Sequence, residues 1–519
     1  MFRRFGFIGP SALVTHLNDK YPSYRLGDRN YKNSHDNYCN NRNDHMSDDI
    51  VHLPLVVDLD GTLIKTDLLA KTASAFLLRQ PFRSFKLLQW LAQGKSVLKA
   101  RLAQSTHIDV SALPYNQDLM VWLREEKLLP RRIVLATASH RLLAEQVAAY
   151  LGLFDEVLAT DDTNLKAHAK RDALVSRYGE RGFDYVGNDW PDIAVWQSAA
   201  QARVVSDSAR LIATVSAHGN LDRTLSDGKP PLAAALLKAM CPHQWIKNLL
   251  IFIPLLAAHR YGDTTSVLHA LLAFVAFGLT ASSVYLLNDV ADDRHHLRKK
   301  GRPFASGDLS LTAGWLAWPV LLVLAFTLCG LALSWSFTAS LALYVVITVV
   351  YSLRLKQLPI VDVMTLSVLY TLRIIAGAAA ISVPLSFWLL FFSMFIFLSL
   401  ALIKRYSELK ADQNGTLRGR GYNAQDLELI ATLGGNAGYS AVLVLALYIQ
   451  DSHTTALYGS PEFIWLACPL LLFWVSRSWL ITHRGQMHDD PIVFALKDRV
   501  SWVVVVLMAV VFVLAKVVA

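Results

Sequence analysis

Hydrophobic and polar positions divide this chain near residue 230. Before that point apolar residues come in short runs broken by charge; after it, runs of about twenty apolar residues recur to the end. Twenty residues of α-helix rise about 30 Å, the thickness of a bilayer's hydrocarbon core. Nine candidate spans follow, at 245–258, 265–287, 313–333, 335–351, 359–381, 384–403, 434–449, 462–481 and 500–518, the first of them short. In the leading half, apolar runs at 51–57 and 133–136 and a third ending at 187 predict buried strands, with helical stretches at 68–78 and 85–102 between the first two. The pattern thus predicts a polar tail over 1–49, an α/β domain over 50–225 with a helical insertion at about 67–126, a linker over 226–237, and an all-α polytopic membrane domain of about nine helices over 238–519.

Composition agrees, with 53% hydrophobic and 18% charged residues among 519. The formal charge of +9 is spread over both halves, so no single basic stripe points to a nucleic-acid partner. Its local placement says more. The alternate loops 288–310, 352–358, 404–432 and 482–499 hold fifteen Lys and Arg, whereas those at 259–264, 334, 382–383 and 450–461 hold one, Arg260. Cytoplasmic loops carry such an excess, which predicts a multi-pass protein of the inner (cytoplasmic) membrane with the α/β domain in the cytoplasm and the C-terminus outside. Cys39, Cys241, Cys329 and Cys468 are far apart and predict neither a disulfide framework nor a cysteine-built zinc site. The tail, with seven asparagines and little periodicity, is expected to be flexible; it lacks a signal-peptide core, and Met46 offers an alternative start.

The strand at 51–57 delivers Asp58-Leu59-Asp60-Gly61-Thr62 at its carboxyl end, where open α/β sheets place their chemistry. Asp58 is positioned to attack phosphorus and Asp60 to pass a proton to the leaving oxygen. This run resembles the haloacid dehalogenase-like phosphatases (HAD), and the resemblance covers roughly 170 residues. It implies a Rossmann-like fold with a helical cap and a phosphate-binding Thr137. It also implies a charge-neutralising Lys170, or Lys166, and an Mg2+ held by Asp58 and Asp60 with Asp189 or Asp192. Asn188 stands where that family usually has an acidic ligand, after Gly187. The insertion, apolar and basic, would act as the cap.

In the membrane half, span two runs into Asn288-Asp289-Val290-Ala291-Asp292-Asp293-Arg294-His295-His296. On a continuing helix Asp289, Asp292 and Asp293 share one face, and such a group belongs at the interface around an ion such as Mg2+. This stretch, together with His243-Gln244-Trp245-Ile246-Lys247-Asn248, Arg302-Pro303-Phe304-Ala305-Ser306-Gly307, Tyr351 with Lys356, and Lys404-Arg405-Tyr406-Ser407-Glu408, resembles the UbiA prenyltransferase superfamily. Within it the match is to the branch of decaprenyl-phosphate phosphoribosyltransferases. The resemblance implies transfer of 5-phosphoribose from phosphoribosyl diphosphate, a phosphorylated sugar diphosphate, to a polyprenyl phosphate. Catalysis would involve Asp289 and Asp292, with metal bound by Asn288, Asp289, Asp292 and Asp293, and substrate phosphates by Lys247, Asn248, Arg302, Tyr351, Lys356, Arg373 and Lys404. His296 stands where the family's last aspartate is usual, and Cys241 where relatives are often basic.

Family members that ionise a prenyl diphosphate usually carry a second D-x-x-x-D motif, but here Asp362 is followed four residues on by Leu366. One acid near Tyr351, Arg354 and Lys356 suits an anionic phosphate better than a second metal, which favours the phosphoribosyl donor. Arg373, costly against lipid, is expected to face a cavity. The α/β domain would then dephosphorylate the product or a precursor. Two other readings compete: an aromatic prenyltransferase of quinone type, and a lipid-phosphate-binding scaffold without turnover.

Overall fold

The computed structural model describes residues 52–161, 164–291, 302–411, 420–450, 458, 460–487 and 490–517. The tail 1–49 and the predicted ligands Asp292 and Asp293, with His295 and His296, lie outside them.

Six strands, β1 Leu55–Val57, β2 Ile133–His140, β3 Glu156–Thr160, β4 Asp184–Gly187, β5 Ala202–Val205 and β6 Leu221–Leu225, form one sheet in the order β3-β2-β1-β4-β5-β6. Every pairing is parallel. Such a sheet must be covered on both faces, which is why its strands read as continuous apolar runs. Leu55 and Val57 enter one core and Val56 the other, the alternation a strand imposes. The order reverses at β1, so a crevice opens beyond the carboxyl ends of β1, β2 and β4.

Between β1 and β2 the insertion forms α1 Leu68–Arg79, α2 Phe85–Ala92, α3 Lys95–Ser105 and α4 Gln117–Glu126. Asp67 caps α1 by accepting the Ala70 N–H at 3.0 Å. The helix expected over 85–102 is two helices, broken at Gly94, whose φ of 124° favours glycine.

Eight helices, not nine, are long and apolar enough to cross a membrane among the described residues. They are Thr264–Val290, Leu311–Ala332, Trp335–Leu353, Val361–Ala380, Phe387–Ala411, Ala424–Ile449, Glu462–His483 and Arg499–Lys516. The span expected at 245–258 is instead a 3-10 helix, Pro242–Phe252, followed by a short α-helix, Ile253–Ala257. Pro242 and Pro254 remove backbone donors at both ends of that stretch. It still runs lengthwise. The Met240 carbonyl accepts from Ser282, Trp245 packs at Gly278, and Leu255 is buried with Ala270, so residues 240–255 pass antiparallel along about 18 Å of the helix from Thr264.

The insertion touches the membrane helices where they bound the basic 288–310 loop. Ala70 packs with Leu286, Val290 and Phe304; Trp315 donates to Ser74 Oγ at 2.7 Å; Gly307 lies against Lys65. The sheet and that basic loop therefore share one side of the helix bundle.

Candidate active sites

In the crevice, Asp58 is fixed by its N–H bond to the Val186 carbonyl, so β4 sets the position of the residue that ends β1. Gly61 turns the chain at φ 80°, and any side chain there would strike the Asn188 side-chain amide. Thr62 links the two strands, its hydroxyl 3.0 Å from Asn188 Oδ1 and 3.5 Å from Asp58 Oδ2.

Lys170 is buried and donates to Asp58 Oδ1 at 2.7 Å and to the Tyr185 hydroxyl at 2.9 Å, with Asp192 at 3.6 Å. Asp192 is turned inward and saturated: Tyr185 donates to one oxygen and the Asn188 and Asp189 N–H groups to the other. Asp189 is exposed, its carboxylate accepting the Trp190 N–H. Asp60 accepts from the Leu68 N–H, from Ser139 at 2.6 Å and from Thr137 at 3.3 Å. Thr137, expected on phosphate, thus spends its proton on Asp60. Lys166 makes no ion pair among the described residues, in contrast to Lys170.

Burial, partly offset by Lys170 and reinforced by Asp192, raises Asp58 to about 7. Burial and then Asp67 raise Asp60 to about 6, against the bond from Ser139. Sequence reasoning missed Lys99 of α3, which donates to the Ala138 carbonyl and to Asn164 and whose pKa is lowered by burial. Nothing in its spacing marked it, because the insertion brings it in from outside the motifs.

The membrane domain holds a cavity of about 550 Å³. Its wall includes Lys247, Asn288, Asp289, Arg302, Tyr351, Lys356, Arg373 and Lys404, residues that span more than 150 positions in sequence. Asn248, expected there too, instead lies beneath it and accepts from Arg373 at 3.0 Å. Arg373 also donates to the Leu369 carbonyl and the Tyr344 hydroxyl, and its guanidinium lies 5.0 to 5.5 Å from the rings of Phe277, Tyr344 and Tyr370. Those rings hold a charge that the apolar surroundings would otherwise penalise.

Among the described residues, eight Lys and Arg line the cavity against two carboxylates, Asp289 and Asp490. Both are already paired: Asp289 with Arg302, and Asp490 with Lys247 at 2.9 Å and Lys404 at 3.1 Å. Burial works to raise Asp490, but Lys404 and Lys247 outweigh it and hold the carboxyl well below the usual range. Asp362, the lone acid of the degenerate second motif, is fully buried. Its oxygens accept from Arg405 at 2.5 Å and Tyr422 at 2.6 Å, and Arg405 reaches on to Tyr351 at 3.1 Å. Asp490, Arg420, Tyr422, Tyr344 and Tyr370 were not singled out from sequence, and Arg405 entered only as part of the 404–408 run.

No group of three or more His, Cys, Asp or Glu side chains among the described residues is arranged to hold a metal. The donor chemistry nonetheless suits Mg2+ at both places, since that ion takes hard oxygens and is commonly held by one or two carboxylates plus substrate phosphates. Asp58 and the Asn188 oxygen, joined through Thr62, are such donors in the crevice; Asn288 and Asp289 are such donors in the cavity.

Residues 249–502 match the UbiA prenyltransferase family. The chain is 35% identical to the uncharacterized protein y4nM of Sinorhizobium fredii, over 89% of this chain and 91% of that one. A match that long takes in both halves. It is 38% identical to nodulation protein NoeC of Azorhizobium caulinodans, over 52% of this chain and 90% of that protein. It is 34% identical to decaprenyl-phosphate phosphoribosyltransferase of Mycobacterium tuberculosis, over 55% of this chain and 97% of that enzyme. With a matched helical region, eight membrane-length helices and relatives covered almost end to end, the chain belongs to the UbiA prenyltransferase family as a multi-pass membrane transferase.

Proposed function

We propose that the membrane domain transfers 5-phosphoribose from phosphoribosyl diphosphate to a polyprenyl phosphate, and that the sheet domain, of HAD phosphatase type, removes a phosphate from the lipid-linked product on the cytoplasmic side. The observation that carries the first half is the charge of the cavity, eight cationic side chains against two carboxylates among the described residues. Such a wall suits a substrate pair that brings several phosphates. Asp362 adds to this, because it is fully buried against Arg405 and Tyr422, which take one oxygen each.

In this reading Arg373, Lys247, Lys404, Tyr351, Arg405 and Lys356, all in the cavity wall, bind phosphate oxygens. An oxygen of the lipid phosphate bonds to the ribose C1 as the C1–O bond to diphosphate breaks, and the diphosphate leaves as the charged product. Mg2+ bound at Asn288 and Asp289 would screen the charge developing on it. Asp289 and Arg302 hold that end of the donor.

In the crevice Asp58 attacks the phosphorus of a phosphate ester, Asp60 protonates the departing oxygen, and water then releases phosphate with Asp60 taking its proton. Lys170 balances the charge of Asp58 and the phosphoryl group. A carboxyl raised to about 6 by burial is a suitable acid near neutrality.

Purified protein in nanodiscs with phosphoribosyl diphosphate, polyprenyl phosphate and Mg2+ should yield a lipid-linked pentose phosphate, then the dephosphorylated lipid and inorganic phosphate. Formation of product only from a prenyl diphosphate and an aromatic acid would overturn the donor assignment. A lipid-linked pentose phosphate that accumulates unhydrolysed would remove the phosphatase half alone.

A further inference from the structure

The insertion carries a surface that neither reaction uses. From Leu68 to Ile108 it holds seven Lys and Arg and no Asp or Glu. Within it α2 buries none of its residues. Phe82 just before it is 92% exposed, and Phe85, Leu88 and Leu91 are 60%, 73% and 45% exposed. Their three-residue spacing places the last three on one face of the helix. Trp90 faces the other way, its ring centroid 5.1 Å from that of Phe76 in α1. Soluble surfaces rarely leave such a row of large apolar side chains open.

Its position in the fold supplies the occupant. Leu77 and Leu78, at the end of α1, line a cavity with Leu287, Trp315, Val349 and Leu353 of the membrane helices. Phe82 follows four residues later, hence within about 14 Å of Leu78 even if the chain is fully extended. The neighbouring membrane helices expose Leu316, Val350 and Leu353, as surfaces against lipid do. Arg79, Arg83 and Lys86 flank the apolar row. An apolar helix face bordered by cations is the pattern of a segment lying in the bilayer interface, drawn by anionic headgroups.

We propose that α2, with Phe82, is an interfacial anchor for an anionic bilayer surface. It seats its apolar face among acyl chains and its cations among headgroups. The anchor holds the insertion, and with it the Asp58 crevice, against the membrane beside the transferase cavity. α1 connects the two, its first residue bonded to Asp60 and its last turn beside the membrane helices. A phosphate on a lipid could then reach Asp58 without its chain leaving the bilayer; that consequence rests on the proposed phosphatase reading, whereas the anchoring does not.

The test uses the full chain in nanodiscs, its own cysteines replaced, with a spin label at Leu88→Cys and a reference label at Glu180→Cys. Accessibility to oxygen and to a water-soluble nickel chelate is measured in phosphatidylcholine with and without phosphatidylglycerol. At position 88 the chelate should lose access while oxygen retains it, more so with phosphatidylglycerol; position 180 should show the reverse. Arg83→Glu with Lys86→Glu should abolish the phosphatidylglycerol effect. Equal chelate access at both positions would overturn the proposal. So would a position-88 label shielded from both reagents and coupled to a second label, which would assign the face to a second copy of the chain.

Discussion

The sheet-domain crevice and the membrane cavity distribute charge in opposite ways. In the crevice one lysine, Lys170, serves both Asp58 and Asp192, and burial pushes Asp58 up to about 7. In the cavity, among the described residues, eight cations face two carboxylates that are already paired. Among the described residues the cavity carries an excess of positive charge, while in the crevice two carboxylates share one cation. Each imbalance is costly in a low-dielectric site: a cation such as Mg2+ would relieve the crevice, and anionic phosphates would relieve the cavity. In the proposed reading, one site attacks a phosphoryl group and the other grips phosphates.

The sharpest way to break this contrast is to remove one chemistry and ask whether the other survives. Asp58→Asn should take phosphate release below detection while transfer continues; parallel loss of both would mean that the two sites are one functional unit. Asp60→Asn should slow release by about 10² to 10⁴-fold, the worth of a positioned proton donor. The pH effect follows from both carboxyls. Asp58 must be ionised to attack and is raised to about 7, while Asp60 must keep its proton and is raised to about 6, so release should rise to a maximum between these values and fall on either side. Release that instead keeps rising well above pH 7 would assign the acid elsewhere.

On the membrane side Asp362→Leu tests a structural claim. Arg405 would keep Glu408 and Tyr351 but lose its buried counter-charge. Removing one partner of a buried pair costs about 3–5 kcal/mol. Thermal unfolding in detergent should move down accordingly, and transfer should fall with it because Tyr351 lines the cavity. Unchanged stability would show that Asp362 is not what holds Arg405, and would return it to the pool of candidate metal ligands.

What could be read from sequence differs between the halves for a physical reason. Asp58 and Asp60 follow β1 and Asp192 follows β4, and a parallel sheet brings strand ends together without further instruction; Thr137 lies within β2, and Lys170 reaches them from the helix His168–Tyr178. In the membrane half Arg373 was legible because a charge in an apolar run is costly and needs a purpose, and Lys247 and Arg302 because they lie in runs that carry the family resemblance. Their partners were not. Asp490 sits in a polar loop where acids are ordinary, 243 residues from the Lys247 it binds. The 242–257 segment was mistaken for a helical span because hydropathy does not report its 3-10 geometry, which only the two prolines hinted at. The exposed face of α2 was likewise read as an ordinary cap helix, since periodicity shows that a face is apolar and not what covers it.

The smallest predicted effect probes the seam between the two charge regimes. Trp315 Nε1 donates to Ser74 Oγ at 2.7 Å, and that hydroxyl in turn donates to the Ala70 carbonyl. An indole N–H has no second role, so Ser74→Ala leaves it without its partner in a partly buried place. The cost should be about 1 kcal/mol, read as a modest drop in thermal stability. Transfer should be untouched, and so should release of phosphate from a small soluble ester. Release from the lipid-linked substrate is the informative number. If α1 only fastens the insertion, it will track the soluble ester; a selective loss with the lipid substrate would mean that the bond sets how the Asp58 crevice meets the membrane, and that the two sites are coupled through the orientation of one helix.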